Sequence, residues 1–322
     1  MSMSLSKKRR KYNMCAIFGL VNYKHLLSKK QLKTLVNRLA VASEVRGTDA
    51  SGIAYVRNGK LVVYKRPIPA HKIHFSVPSD TTIVTGHTRF TTQGSAEFNF
   101  NNHPFMGTTE DGTFALCHNG ILYNDKELAR TEGLPETPIQ TDSYVAVQLI
   151  EKQGTLDFDS IRIMSEKVMG SFVFTILGSD NMLYLVKGDN PICLLHFKEL
   201  GLYVYSSTPN IMDSALTGSI LEAYDFDEIK LREGDIFRID KSGNLFRSSF
   251  TPGMDYSFTY NRCWHRLDGF YDDDTDLDIP PDDLDLLYEM GYCDEDIDIL
   301  TNDRELLDYC IEEARLMIYG YE

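Results

Sequence analysis

The sequence lacks any run of about 18 apolar residues, so we expect no membrane-spanning helix. Its basic N-terminus is not followed by the apolar stretch that a secretory signal needs. The six cysteines are spread along the chain without a C-x-x-C pair, which argues against a disulfide framework and a zinc site. We therefore expect a cytoplasmic protein with no metal centre.

Basic residues are scarce outside the N-terminus, and acidic residues are concentrated at the other end. Residues 1–14 hold five Lys or Arg and no acid, whereas residues 268–322 hold 20 Asp or Glu and two Arg. Residues 15–267 are therefore nearly neutral, although the whole chain carries a net charge of −14. Because a neutral body offers no basic surface to phosphate groups, we predict no nucleic-acid partner and no membrane partner.

Composition divides the chain into three parts. Residues 1–14 are polar and unpatterned, which predicts a leader that is removed; alternatively, translation starts at Met14 and loss of that Met gives the same end. Residues 15–255 contain the patterned segments of one domain. Residues 256–322 combine an acidic linker with two short helical patterns.

Three interpretations of this tail remain open: a solvated acidic segment, a docking segment for a basic partner surface, or a helical pair whose 286–292 loop resembles ubiquitin-associated domains. Cys263, His265, Cys293 and Cys310 have no zinc-site spacing, so we predict that they bind no metal.

The hydrophobic patterns of residues 15–255 predict an α+β fold. Ser28 and Gln31 have the spacing of a capping box before a helix over residues 29–43, and Asn58-Gly59 marks a hairpin turn. We expect a turn at His118-Asn119-Gly120 and a helix capped by Thr141 or Asp142. Strands at both ends with helices between them predict antiparallel sheets that helices cover.

A cysteine stands at the head of the first predicted strand, Cys15 before Ala16 to Val21. A thiolate is a strong nucleophile only when its proton is removed or its pKa is lowered. An α-amino group on the same residue can remove that proton, because its pKa of about 7.7 to 8.0 leaves free base near neutral pH. Cys15 is therefore our candidate nucleophile once its amine is free.

Other stretches offer groups that complement a free amino acid with a side-chain amide. Arg89 can bind an α-carboxylate with two hydrogen bonds, and Asp142 can accept from an α-ammonium group. Asn119 and Gly120 offer a side-chain amide and a backbone N–H to the oxyanion formed when Cys15 adds to the amide. Together they predict chemistry on glutamine.

Five motifs, in order, resemble the class II glutamine amidotransferases, which are N-terminal nucleophile hydrolases. The motifs are Met14-Cys15-Ala16-Ile17-Phe18-Gly19, Arg46-Gly47-Thr48-Asp49, Gly86-His87-Thr88-Arg89, His118-Asn119-Gly120-Ile121 and Thr141-Asp142. The resemblance implies a four-layer αββα sandwich. It also implies Cys15 as nucleophile with its own amine as base, Asn119 and Gly120 as oxyanion hole, and Arg89, Thr92 and Asp142 as glutamine ligands. Arg46, Asp49 and His87 would support them.

The chain departs from the family in two ways. It has Phe90 and Gln93 where glucosamine-synthesising members have Trp and His, so closure over glutamine is expected to differ. The part beyond residue 250 is too short for a synthase domain, and no GxxxxGK[ST] motif is present.

We therefore predict a glutaminase that needs no cofactor and passes ammonia to a synthase on a separate chain. Two alternatives stay open: a non-catalytic glutamine-binding protein that keeps its leader, or an amidohydrolase for another amide. The sequence does not indicate an oligomeric state.

Overall fold

The computed structural model describes residues 15–252 without a gap, and beyond them residues 279–280, 283–284, 286–287, 297, 300–301, 304, 307–308, 310–312 and 315. The chain divides into two compact units at the bond between Gly253 and Met254. The predicted leader, residues 263–265 and 293, and most of the 286–292 loop lie outside the described residues.

The first unit contains five α-helices and thirteen strands within residues 15–252. The helices are α1 (Lys29–Ser43), α2 (Asp125–Thr131), α3 (Tyr144–Gln153), α4 (Phe158–Lys167) and α5 (Pro209–Leu216). The strands are β1 (Ala16–Asn22), β2 (Ala50–Arg57), β3 (Lys60–Arg66), β4 (Ile83–Arg89), β5 (Phe105–Thr109), β6 (Gly112–Leu122), β7 (Gly170–Gly178), β8 (Leu183–Lys187), β9 (Cys193–Phe197), β10 (Leu202–Ser206), β11 (Asp227–Glu228), β12 (Asp235–Ile239) and β13 (Leu245–Ser249).

These strands form two antiparallel sheets. The first has seven strands in the order β11-β9-β10-β1-β4-β2-β3, and the second has six in the order β13-β12-β8-β7-β6-β5. The strand β1 lies in the middle of the first sheet, between β10 and β4. The strand that carries Cys15 at its head is therefore held on both edges.

Alternating side chains of β1 serve two different layers. Phe18 and Leu20 pack on one side with residues of α1 and α5, whereas Val21 packs on the other side with residues of the second sheet. The outer face of the second sheet is covered by α3 and α4. The first unit is therefore a four-layer αββα sandwich, which confirms the fold expected from the sequence.

Two local predictions are confirmed in detail. The helix α1 begins at Lys29 and ends at Ser43, and the Ser28 side chain accepts from the Gln31 N–H while the Gln31 side chain accepts from the Ser28 N–H. The hairpin at Asn58-Gly59 joins β2 to β3, with Arg57 opposite Lys60.

Two other local predictions are wrong. The turn expected at His118-Asn119-Gly120 is part of β6, because β7 pairs with this segment throughout and Gly120 lies opposite Phe172. Neither Thr141 nor Asp142 caps α3, whose N-cap residue is Ser143 and which has no side-chain cap. The Asp142 carboxylate instead accepts from the Leu122 N–H, at 2.7 Å from the nitrogen.

The second unit has a small apolar core of its own among its described residues. The core comprises Ile279, Leu287, Ile297, Leu300, Leu307, Cys310 and Ile311. In the described part of the chain, no helix is both long and apolar enough to span a membrane.

A buried polar cluster links the two sheets at their centre. The Thr85 hydroxyl lies 2.8 Å from the Thr175 hydroxyl and 2.8 Å from that of Tyr205, which donates to it. All three side chains are fully buried. A buried hydroxyl without a partner lowers the stability of a protein by more than one hydrogen bond raises it. Thr85 contacts both other hydroxyls, so its loss would affect both.

We predict that Thr85→Val lowers the free energy of unfolding more than Tyr205→Phe does. The first change removes the hydroxyl that contacts both Thr175 and Tyr205, at about 1–3 kcal/mol for a buried group that loses its partner, whereas the second keeps the Thr85–Thr175 contact and costs about 0.5–1.5 kcal/mol. Urea unfolding of the full chain followed by circular dichroism measures both. Equal losses, or a larger loss for Tyr205→Phe, would contradict this account of the cluster.

Candidate active site

A small pocket lies where β1 begins and β4 ends. Five of the nine residues singled out from the sequence line it: Cys15, Arg89, Thr92, Gly120 and Asp142. The other four, Arg46, Asp49, His87 and Asn119, contact the segments that form its wall. The pocket therefore gathers residues that are up to 127 positions apart in the sequence.

Cys15 is positioned by hydrogen bonds to its own backbone and to the backbone of Ile17, two residues further along the chain. Arg46 donates from Nε to the Cys15 carbonyl oxygen at 2.9 Å, and the Ser207 hydroxyl accepts from the Ile17 N–H at 2.8 Å. The Cys15 thiol donates to the Phe90 carbonyl at 3.3 Å. The sulfur therefore faces the segment that follows Arg89.

The environment of this thiol favours its protonated form. Burial raises the pKa of Cys15 to about 11; the nearby Arg89 and Arg46 guanidinium groups lower it, and the Asp142 carboxylate raises it. At neutral pH the thiol needs a base to become a nucleophile. The Cys15 nitrogen is bonded to Met14 in this chain, so it can act as that base only after the bond is cut.

Arg89 is buried at the end of β4, and part of its hydrogen-bonding capacity is used within the protein. It donates from Nη1 to the Asn102 side-chain oxygen at 2.7 Å, and from Nη2 to the carbonyls of Gln93 and Gly94 at 2.6 and 2.8 Å. A guanidinium has five N–H groups. These contacts use three of them and leave the Nε–H and one N–H of Nη1.

The Arg46–Asp49 loop supports this segment from behind. Asp49 accepts from the Thr91 N–H at 2.8 Å, and its own N–H donates to the Arg89 carbonyl at 2.9 Å. A Cβ at Gly47 would come within 2.4 Å of the Arg89 carbonyl carbon. The loop therefore packs directly on the backbone of Arg89 and Phe90, and only glycine fits at position 47.

Asp142 lies at the start of α3 with its carboxylate buried against the end of β6. One oxygen accepts from the Leu122 N–H at 2.7 Å, and the other lies 3.4 Å from the Ser143 hydroxyl. That hydroxyl is 2.8 Å from Nδ1 of His118. The position of this anion is thus fixed by β6, which also carries Asn119 and Gly120.

Asn119 and Gly120 have different roles in the strand. The Asn119 side chain is fully buried, and neither its amide nitrogen nor its amide oxygen has a partner within the protein. Gly120 has a φ of +144°, and a Cβ there would lie 1.8 Å from the Ser171 carbonyl oxygen. Position 120 therefore requires glycine, and Asn119 has a donor to offer.

Three imidazoles pack beside the pocket, and burial favours the neutral form of each. His87 contacts the His118 carbonyl through Nε2 at 2.9 Å and stacks on His103 with ring centroids 4.1 Å apart. Burial lowers the pKa of His87 to about 3, and it also lowers the pKa values of His103 and His118. Among the described residues, no group of His, Cys, Asp or Glu is arranged to hold a metal ion.

Several residues of this region were not singled out from the sequence. They are Asn102, which accepts from Arg89; Asn190, whose amide donates to the Asn119 carbonyl at 3.0 Å; Ser207, which pairs with Ile17; and His103, which lines the pocket. The polar stretch over residues 99–103 contained a signal for two of them, because three asparagines and a histidine precede a proline there.

The sequence is similar to curated enzymes from staphylococci. It is 29% identical over 255 residues to the isomerizing glutamine–fructose-6-phosphate aminotransferase of Staphylococcus aureus, covering 76% of this chain and 40% of the relative. The enzyme of the same name from Staphylococcus epidermidis is 30% identical over 189 residues, 56% of this chain and 30% of the relative. The chain thus spans less than half the length of these relatives. No family model matches the sequence.

Solved structures share the fold. Glutamine phosphoribosylpyrophosphate amidotransferase from B. subtilis, complexed with ADP and GMP, superposes with a TM-score of 0.57 at 20% identity, covering 75% of this chain and 50% of that one. A structure described as the allosteric regulatory enzyme of purine biosynthesis gives the same TM-score at 19% identity. At such identities the likeness concerns the fold.

We predict that two charged groups that act on the Cys15 thiol change its reactivity in opposite directions. Arg89→Met removes a cation that lowers the Cys15 pKa, so alkylation by iodoacetamide at pH 9 should slow; Asp142→Asn removes an anion that raises it, so alkylation should accelerate. Changes of about 2- to 5-fold are expected, equivalent to pKa changes of a few tenths. Mass spectrometry of the Cys15 peptide measures the rates.

In the unsubstituted chain, the same labelling rate should keep rising from pH 8 toward the Cys15 pKa of about 11. A rate that levels off below pH 8, or that moves in the same direction in both variants, would show that these groups do not control the thiol.

Proposed function

We propose that the chain, which is distantly related to the glutamine amidotransferases above, hydrolyses L-glutamine to glutamate and ammonia through a γ-glutamyl thioester on Cys15. One observation supports this most directly: a single pocket contains a cysteine, a buried guanidinium and a buried carboxylate, at Cys15, Arg89 and Asp142. A zwitterionic amino acid needs both charges to be matched, and its side chain must reach the sulfur.

The two charges of glutamine match the two buried ions. The remaining N–H groups of Arg89 bind the α-carboxylate, and the Asp142 carboxylate accepts from the α-ammonium group. Thr92 is exposed at the pocket and adds a hydroxyl to the carboxylate side. Arg46, Asp49 and His87 keep Cys15, Arg89 and the β6 segment in place.

The chemistry uses the free amine of Cys15 after residues 1–14 are removed. The amine takes the thiol proton, and the thiolate adds to the carboxamide carbon, whose oxygen becomes an oxyanion. The Asn119 side-chain N–H and the Gly120 backbone N–H stabilise that oxyanion. The C–N bond then breaks, the amine returns the proton to the leaving ammonia, and water cleaves the thioester to glutamate and the thiol.

We further propose that the ammonia is delivered to a synthase on a separate chain. Ammonia that is released into water is diluted and protonated, so an enzyme of this kind works best beside its acceptor. The acidic residues 268–322 would dock on a basic surface of such a partner.

The test is ammonia release by protein that begins at Cys15. We expect turnover of L-glutamine that Cys15→Ala abolishes. Arg89→Lys and Asp142→Asn should each raise KM about 10- to 100-fold, since each loses a hydrogen bond to a charged group. The exposed Arg57→Lys and Asp80→Asn are matched controls and should leave KM unchanged.

Three results would overturn the proposal in different ways. Absence of turnover, with or without candidate synthases, argues against catalysis. Turnover of another amide at a rate that neither Arg89→Lys nor Asp142→Asn changes indicates a different amidohydrolase. An intact mass counted from Met1 in the native host indicates a non-catalytic glutamine-binding protein.

A further inference from the structure

Several buried polar atoms at this pocket have no hydrogen-bond partner within the protein. They are both ring nitrogens of His103, Nε2 of His118 and the Thr141 hydroxyl, all on residues that line the pocket. Buried polar atoms are nearly always paired, and an unpaired one costs about 1–3 kcal/mol. A molecule bound in this pocket would supply partners to such atoms.

His103 differs from the other two because its whole hydrogen-bonding capacity is unused. Nδ1 of His118 is already 2.8 Å from the Ser143 hydroxyl, so that ring has one nitrogen left. The His103 side chain is 4% exposed and lies in contact with two other rings, His87 at 4.1 Å and Phe105 at 4.3 Å between centroids. The ring is therefore oriented by packing and not by hydrogen bonds.

The backbone on both sides of His103 is also held. The buried Lys65 ammonium donates to the carbonyl of Asn102 and, at 3.1 Å, to that of Pro104. The Asn102 side chain in turn accepts from Arg89. His103 and the guanidinium are thus parts of one rigid wall.

The chemistry of a neutral imidazole matches a carboxamide. Burial and the neighbouring His87, His118, Arg89 and Lys65 keep the pKa of His103 well below its usual value. A neutral imidazole has one N–H donor and one acceptor nitrogen, and a primary amide has one acceptor oxygen and an NH₂ donor. A carboxylate only accepts, so it would leave the acceptor nitrogen of the ring unpaired.

We propose that His103 is a further substrate-contacting residue, whose imidazole hydrogen-bonds the side-chain carboxamide of glutamine and disfavours the carboxylate of glutamate. This inference rests on the proposed function, because it takes glutamine as the ligand. Arg89 and Asp142 cannot make this distinction, since glutamine and glutamate share the same α-carboxylate and α-ammonium groups. An uncharged imidazole beside the carboxamide can make this distinction. Because it would bind glutamate less tightly, it would also help the product to leave.

The test is calorimetric titration of protein that begins at residue 15 and carries Cys15→Ser, which weakens the nucleophile so that binding can be measured. Adding His103→Leu should weaken L-glutamine binding at least 10-fold and change L-glutamate binding less than 3-fold. His103→Gln, which keeps a donor and an acceptor, should retain glutamine binding within about 3-fold. His74→Gln is the control, at an exposed histidine outside the pocket.

The outcomes separate this inference from the proposed function. If the Cys15→Ser chain binds no glutamine, the proposed function fails and this inference with it. If it binds glutamine and His103→Leu leaves the affinity unchanged, or weakens both ligands equally, only the role of His103 is overturned. Should His103→Leu not fold, the ring ¹⁵N shifts of His103 decide: they should move with glutamine, and no movement would refute the contact.

Discussion

The pocket depends on how the start of β1 is fixed between its neighbours. Cys15 immediately precedes β1, at one end of a central strand of the first sheet. Arg46 holds its carbonyl, and Ser207 both accepts from the Ile17 N–H and donates its own N–H to the Ile17 carbonyl at 3.0 Å. These contacts hold the backbone of Cys15 and Ile17 and so help to position the sulfur relative to Arg89.

The buried charges contribute to the fold as well as to the proposed chemistry. Arg89 donates to the carbonyls of Gln93 and Gly94. Asp142 accepts from the Leu122 N–H instead of capping α3. Removing one partner from a buried charged hydrogen bond is costly. Variants at these positions must therefore be accompanied by stability measurements.

Local signals in the sequence predicted much of the fold. The capping box of α1, the Asn58-Gly59 hairpin and the strand periodicities are short-range, and all appear in the structure. The sequence predicted a turn at Gly120 because asparagine followed by glycine favours a turn. In the structure this segment is a strand, because β7 pairs with it. The sequence predicted a cap at Asp142 that is absent, because the carboxylate binds the N–H of Leu122, 20 residues away in the chain.

In the pocket, too, the sequence indicated what depends on short motifs and did not indicate what depends on contacts between distant segments. Residues in motifs could be singled out from sequence, whereas His103, Asn190 and Ser207 gain their position from contacts with segments far away in the chain. For Asn190 and Ser207, the residue type alone carries no chemical signal. Burial without a partner, which marks His103, is a property of three-dimensional packing and is invisible before the structure is known.

The central claim is that one amino acid bridges Arg89 and Asp142 while its side-chain amide reaches position 15. A crystal structure of the Cys15→Ser chain with L-glutamine tests this most directly. The account predicts the α-carboxylate on the Arg89 guanidinium, the α-ammonium on the Asp142 carboxylate, and the carboxamide carbon next to the hydroxyl that replaces the thiol at position 15. Glutamine bound elsewhere, or bound here with its two ends exchanged, would contradict it.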